Sequence, residues 1–102
     1  MAATPEGRVK SAVKRWLQAR GIWFFCPVSN GMGVHGIPDF ICCWAGRFLA
    51  IETKAPGKRG NLSEPQKFQI DGIRAANGFA CVVDDVSQLD ALFLENDGAD
   101  AR

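Results

Sequence analysis

The sequence predicts a single α/β domain in which helices flank a mixed β-sheet. The chain has 102 residues, enough for one hydrophobic core, and 47% of them are apolar. Segments of helical periodicity alternate with short apolar runs, in the order helix, strand, hairpin, helix, strand, helix. The runs are apolar on both faces, so we expect helices to cover both sides of the sheet.

The first helix is predicted from its start signals and its periodicity. Thr4 is a suitable N-cap, Pro5 fits the first helical position, and Glu6 is an acid in the first turn. Apolar residues then recur at helical spacing, and Gly21 is a plausible stop. Together these signals predict a helix over about 5–20.

Two further helices are predicted after the centre of the chain. Ser63 with Gln66 three residues later forms a capping box, and the helix that it begins should end near Ala76. Ser87 begins a shorter helix that should run through Leu94. The predicted buried side of the second helix is formed by Phe68, Ile73 and Ala76.

Apolar runs predict four strands, at 22–28, 39–44, 47–53 and 79–83. Ala45-Gly46 separates the second run from the third, which predicts a hairpin with a two-residue loop. The glycine-containing segments between the other elements are predicted loops. We therefore expect one domain over 1–94, followed by an acidic tail over 95–102 that frays.

Composition argues against several classes of protein. No apolar run reaches the ~18 residues of a membrane span, and the N-terminus has no apolar signal core, so we expect a cytoplasmic protein, bacterial or made in a phage-infected cell. There is one histidine and no C-x-x-C pair, which argues against structural zinc. We expect reduced, buried thiols at all four cysteines: Cys26, Cys42, Cys43 and Cys81.

The charge is distributed unevenly along the chain, although the net charge is only +1. Residues 1–74 carry eleven Lys and Arg against five Asp and Glu, whereas 75–102 carry one against six. This pattern is typical either of a surface that meets a polyanion or of ordinary solvated side chains. The candidate phosphate contacts are Arg8, Lys10, Lys14, Arg15, Lys58, Arg59 and Lys67.

Two acidic residues lie at the ends of predicted hairpin strands. A two-residue loop places Asp39 opposite Glu52, and Lys54 shares a face with Glu52. Opposed carboxylates repel each other, and a divalent cation bound between them would offset that repulsion. The pattern thus predicts metal-assisted phosphodiester hydrolysis. The alternative is a turn residue and an ordinary exposed ion pair, and a one-residue shift in the loop would separate the two acids.

The order Gly36-Ile37-Pro38-Asp39, twelve residues, then Glu52-Thr53-Lys54 resembles the PD-(D/E)xK nuclease signature. With Glu6 and Gln66, the chain resembles the VRR-NUC family of virus-type replication and repair nucleases, in its stand-alone phage or bacterial form. The resemblance implies a restriction-endonuclease-like core and a DNA endonuclease that requires Mg²⁺ or Mn²⁺. It also implies a homodimer that resolves Holliday junctions or other branched DNA.

The resemblance further implies a role for each motif residue. Asp39 and Glu52 would bind the metal together with the backbone carbonyl of Thr53, and Lys54 would orient or activate the attacking water. Glu6 would complete the acidic cluster, directly or through water, and Gln66 would support Lys54 or a phosphate. From the residues alone, the helix dipole also explains Glu6, and the capping box also explains Gln66.

Several alternatives remain open at this point. The domain could bind structured DNA without cutting it, or it could be a flap or general nuclease. His35, the single histidine, either contacts a phosphate or a water of the metal, or is incidental to its loop. Glycines in the same loop either admit DNA or form a sharp turn. These loop glycines are Gly31, Gly33 and Gly36.

Overall fold

The structure is a computed structural model that describes residues 4–28 and 33–100, with side chains up to Phe93. Gly31 therefore lies outside the described residues. The elements follow the predicted order. They are α1 (Pro5–Ala19), β1 (Trp23–Phe25), β2 (Phe40–Trp44), β3 (Arg47–Thr53), α2 (Glu64–Ala75), β4 (Phe79–Val83) and α3 (Ser87–Asp100).

The four strands form one mixed sheet, as the sequence predicts. Their order across the sheet is β1-β2-β3-β4. The first three strands are antiparallel neighbours, whereas β3 and β4 run parallel and α2 connects them. The predicted fold class is therefore confirmed, and the sheet agrees with a restriction-endonuclease-like core.

The β2–β3 hairpin has the predicted two-residue loop. Trp44 lies opposite Arg47, and the loop residues Ala45 and Gly46 have φ angles of 51° and 78°. Positive φ at both positions is the geometry whose twist matches that of the flanking strands. The twist explains why an alanine adopts this conformation here. The register continues to the far end of the hairpin, where Asp39 and Glu52 follow the last paired positions.

Two hydrophobic clusters hold the layers together. On one face of the sheet, α1 and α3 pack on the central strands, and Leu17, Phe40, Leu49 and Leu89 are fully buried. On the other face α2 packs through Ile70 on small residues of the two parallel strands. The smaller second cluster means that α2 is held mainly at the β3–β4 side.

The expectation that helices cover both faces is wrong for one half of the sheet. On the α2 side, Trp23 is 62% exposed, Phe25 48% and Phe48 46%. A helix about 10 Å wide covers about two strands at their ~4.8 Å spacing, so on this face α2 leaves uncovered the edge strand β1 and the loop end of the β2–β3 hairpin, where Cys43 and Phe48 lie. Phe68 was also predicted to be buried, but it is 74% exposed, because the neighbouring Ile70 turns toward the sheet instead.

Two element boundaries differ from the prediction. Strand β1 ends at Phe25 rather than near residue 28, because Pro27 has no N–H to continue the ladder. Helix α3 continues to Asp100 instead of ending at Leu94, since no proline interrupts residues 95–100. Most of the predicted frayed tail is therefore helical, and residues 101–102 lie outside the described part of the chain.

The cysteines are only partly as predicted. All four are free; Cys42 is buried and Cys81 half-buried, but Cys26 and Cys43 are exposed. Cys43 is exposed because neighbouring strand residues point to opposite faces, and its face is the uncovered half of the sheet. Within the described residues, no helix combines the length and the apolar composition needed to cross a membrane.

Candidate active site

The predicted motif residues meet at the end of the β2–β3 hairpin, where the first turns of α2 and the first half of α1 approach it. Asp39 precedes β2, Glu52 lies in β3, and Lys54 follows that strand directly. Gln66 reaches the same place from the first turn of α2. Residues from three separate segments of the chain therefore form one cluster.

Thr53 holds the side chain of Asp39 in place. One Asp39 oxygen, Oδ2, accepts a hydrogen bond of 3.0 Å from the Thr53 backbone N–H and another from the Thr53 hydroxyl. In the alternation of the hairpin ladder, Thr53 faces Pro38, which has no N–H to donate to the Thr53 carbonyl. Among the described loop residues, no backbone N–H donates to that carbonyl instead. Thr53 thus fixes Asp39 and keeps an oxygen available for a ligand.

Glu52 is a buried carboxylate with a strongly perturbed pKa. The residue is only 2% exposed. Its pKa is raised to about 7, mainly by burial and next by the charge of Asp39, with a smaller contribution from Glu6, and the charge of Lys54 partly offsets these effects. The site therefore concentrates negative charge where solvation is weak, which is the condition that a bound cation relieves.

Gln66 connects Lys54 with Glu52. Its Oε1 accepts a hydrogen bond of 3.0 Å from Lys54 Nζ, and its Nε2 donates one of 3.1 Å to Glu52 Oε2. Lys54 Nζ also lies 3.8 Å from the same Glu52 oxygen. Gln66 completes the capping box as well, through the backbone N–H of Ser63. The start of α2 is therefore part of the site.

Helix α1 contributes a cation to the site and an acid near it. Lys10 Nζ lies 3.5 Å from Asp39 Oδ1. Glu6, one turn earlier, is exposed and influences the pKa of Glu52 through its charge. Among the described residues, however, no three His, Cys, Asp or Glu side chains form a group that could hold a metal ion. The structure thus brings two carboxylates together and does not place Glu6 as a third.

Gly36 allows the motif loop to lie against α2. Its φ is +83°, and an added Cβ would stand 2.3 Å from the backbone carbon of Pro65 and 2.6 Å from the nitrogen of Gln66. Only glycine tolerates both the positive φ and this approach. Sequence reasoning left the role of Gly36 open between DNA contact and a sharp turn. The structure adds a third role, which is packing against the helix that carries Gln66.

Most of the predicted DNA contacts are exposed but do not touch the motif. Lys67 pairs with Glu64 at 3.1 Å on α2. His35 is exposed and lines a cavity of about 440 Å³, and Gln66 lines the same cavity. The remaining exposed positions are Arg8, Lys14 and Arg15 on α1 and Lys58 and Arg59 on the loop after Lys54. Lys10 alone among them contacts a motif residue through an interaction that the structure describes.

The sequence reasoning missed one contribution to the site. Thr53 was expected to contribute only its carbonyl, whereas its N–H and hydroxyl both bind Asp39. A hydroxyl residue beside an acid on a paired strand was the available signal, because such a side chain can reach across the hairpin end.

Comparison with solved structures identifies the fold. A chain named VRR_NUC domain superposes with a TM-score of 0.69 at 26% sequence identity, covering 89% of this chain and 96% of that one. This similarity supports membership of the VRR-NUC family. No family model matches the sequence, and no curated protein matches it significantly. The similarity to a VRR-NUC domain supports a nuclease of the PD-(D/E)xK type. Asp39 occupies the position of the first acid in that signature, Glu52 that of the second acid, and Lys54 that of the lysine.

Proposed function

We propose that this VRR-NUC domain is a metal-dependent endonuclease that hydrolyses phosphodiester bonds in branched DNA, resolving four-way junctions as a homodimer. The observation that carries the proposal is the pairing of Asp39 with the buried Glu52 beside Lys54. The register of the hairpin holds the two acids at one place. A lysine beside two such acids is suited to phosphoryl chemistry rather than to simple surface pairing.

The residues at the site fit Mg²⁺ or Mn²⁺. The donors are oxygens, from Asp39, Glu52 and the Thr53 carbonyl, and hard divalent cations prefer oxygen ligands. The pKa of Glu52 is raised first by burial and then by the charge of Asp39, and a bound cation would offset both effects. Glu6, exposed on α1, would join this set only through water. A bound cation supplies charge stabilisation at the phosphate and makes water a better nucleophile.

Lys54 is the residue proposed to act on the attacking water and the phosphate. Its ammonium group has three donors, and the hydrogen bond to Gln66 uses one of them. The contact with Glu52 at 3.8 Å fixes the direction of the side chain, which is only 11% exposed. The remaining donors can orient the water and stabilise the charge that develops on the phosphate. Gln66 is a positioning residue in this scheme, because it acts through Lys54.

Phosphate contacts outside the site are proposed on two sides of it. The exposed Lys58 and Arg59 lie on the loop that follows Lys54. The backbone N–H of Gly57, just before them, donates a hydrogen bond to Asp84 and holds this part of the loop. The basic positions of α1 lie on the other side, and His35 and Lys67 lie along α2 and the motif loop. Such contacts fix the position of the backbone without reading its sequence, which suits a structure-selective enzyme.

A homodimer is proposed because one four-way junction presents two strands to be cut. The uncovered half of the sheet carries the exposed Trp23, Phe25 and Phe48. It begins beside the site, since Phe25 pairs with Ile41, two residues after Asp39. A second copy that covers this surface would bury aromatic side chains and bring two sites near each other. The four free cysteines fit the reducing cytoplasm of a bacterium or a phage-infected cell.

Cleavage of labelled DNAs of different shapes tests the proposed substrate. A four-way junction, a flap, a linear duplex and a single strand are incubated with and without Mg²⁺ or Mn²⁺. We expect metal-dependent, paired cuts in the junction and at least tenfold slower cutting of the linear duplex. Equal cutting of all four DNAs would favour a general nuclease, and preference for the flap would favour a flap nuclease.

A non-cleaving DNA-binding module of the same fold is the second candidate. It is disfavoured by the burial of Glu52 at 2% exposure, since an idle site gains nothing from a desolvated carboxylate beside another acid. Retained junction binding with no cutting in either metal would favour this module.

A further inference from the structure

Lys10 and Thr53 contact different carboxylate oxygens of Asp39. Thr53 binds Oδ2 through two hydrogen bonds, whereas Lys10 Nζ lies 3.5 Å from Oδ1. Oδ1 is therefore the Asp39 oxygen that the hairpin leaves available. A cation bound to Asp39 would use the same oxygen that Lys10 contacts.

Breaking the ion pair between Lys10 and Asp39 costs little free energy. The Lys10 side chain is 49% exposed and comes from a different element than Asp39. The Asp39 side chain is 20% exposed, but an ion pair whose cation is half exposed contributes little to stability, so breaking this one costs little. Two cations within about 4 Å of each other repel strongly. Metal binding at Oδ1 would therefore disfavour the present position of Lys10.

The backbone of Lys10 would stay beside the site after its ammonium group leaves Asp39. Helix α1 fixes its backbone, and its flexible stem can turn the ammonium from Asp39 to a neighbouring phosphate oxygen. Lys14 lies one turn further along the same helix and is also exposed, so the two lysines form a continuous basic row. A phosphate bound at the site offers Lys10 a new anionic partner when the metal takes Asp39.

We propose that Lys10 is a displaceable counter-ion of the site. Without metal it neutralises Asp39, and with metal and DNA bound it contacts a phosphate oxygen beside the cut. The proposal rests on the proposed nuclease function and adds an exchange of partners to it. The alternative is a purely structural role, in which Lys10 ties α1 to the hairpin and stays on Asp39 throughout.

Mn²⁺ binding and DNA cleavage of Lys10→Met test the two halves of the proposal separately. Methionine keeps most of the aliphatic stem and removes the charge. Mn²⁺ affinity is measured by calorimetry on the protein without DNA, and the cleavage rate is measured on the junction at saturating Mn²⁺. Lys14→Met is the matched control for metal affinity, and Lys10→Arg tests rescue by charge.

We expect Lys10→Met to bind Mn²⁺ at least threefold more tightly than the wild type and to cut the junction at least tenfold more slowly. Lys14→Met should leave Mn²⁺ affinity unchanged, and Lys10→Arg should restore most of the rate. Unchanged or weaker Mn²⁺ binding by Lys10→Met would overturn the counter-ion role, and undiminished cleavage would overturn the phosphate contact. A wild type that binds Mn²⁺ but cuts no DNA would instead contradict the proposed nuclease function.

Discussion

The Gln66 side-chain amide donates a 3.1 Å hydrogen bond to the buried carboxylate of Glu52. Its oxygen accepts hydrogen bonds from Lys54 and from the N-cap Ser63, both at 3.0 Å. One side chain therefore caps the start of α2 and orients two motif residues. The two roles can be separated by mutation.

Gln66→Ala should reduce cleavage much more than Ser63→Ala. Loss of Gln66 frees Lys54 and removes a donor from Glu52, so we expect a rate reduction of at least tenfold. Ser63→Ala removes the cap and should cost about 1 kcal/mol of stability while leaving Lys54 in place. Single-turnover cleavage and thermal unfolding measure the two effects. Equal rate losses in both variants would mean that Gln66 acts only through the helix cap.

Gly36→Ala should destabilise the domain more than Gly46→Ala. Both glycines have positive φ, but an added Cβ at Gly46 meets nothing within 4 Å, whereas at Gly36 it meets the Pro65 backbone at 2.3 Å. We expect a loss of about 1 kcal/mol at Gly46 from backbone strain and of more than about 2 kcal/mol at Gly36. Urea unfolding measures both. Equal losses would show that α2 moves aside without cost.

The metal-free domain should become less stable as the pH rises toward neutrality. The pKa of Glu52 is about 7 in the folded protein against an ordinary value of 4.5. Between these values the folded state holds a proton that the unfolded state has lost, so raising the pH favours unfolding. The full effect is about 3 kcal/mol and is reached above the folded pKa.

Glu52→Gln should remove most of this pH dependence, because glutamine does not ionise. Unfolding by urea in a chelator is compared for both proteins from pH 4.5 to pH 8, the lower limit being the ordinary pKa of the side chain. We expect the variant to be the more stable protein at the upper end of the range. Parallel profiles for the two proteins would contradict the assignment of the pKa to Glu52.

Phe25→Asp should produce a monomer if the uncovered half of the sheet is the dimer interface. Phe25 is 48% exposed in the single chain, so a charge there should leave the fold intact and disfavour burial against a second copy. Ser11→Asp, at an exposed position of α1 on the other face, is the control. Light scattering should give 11.1 kDa for Phe25→Asp and twice that mass for the wild type and the control. A wild-type monomer that still cuts both strands would contradict the dimer.

Local signals in the sequence predicted the hairpin and the helix starts. The Ala45-Gly46 loop fixed the register that places Asp39 opposite Glu52, and the capping box located the start of α2. These features depend on residues that are close in the chain. The catalytic roles of Asp39, Glu52 and Lys54 remain predictions. The resemblance to the nuclease motif implies these roles, whereas the structure shows only that the residues lie together.

Long-range packing determined what the sequence could not predict. The contact of Lys10 with Asp39 depends on how α1 lies against the hairpin, and local periodicity carries no information about that angle. The uncovered aromatic side chains depend on strand order, because β1 is an edge strand beyond the reach of α2. Phe68 illustrates the same limit, since its helix turns Ile70 to the sheet instead.

Metal-dependent junction cleavage by Glu52→Gln, compared with the wild type, tests the central claim most directly. Both proteins are assayed in Mg²⁺ and in Mn²⁺, and junction binding is measured in parallel in a chelator. The account predicts that the wild type cuts only with metal and that the variant loses at least a hundredfold in rate while it binds the junction as well as the wild type does. Full cleavage by Glu52→Gln, or wild-type cleavage in the chelator, would contradict a metal site built on Asp39 and Glu52.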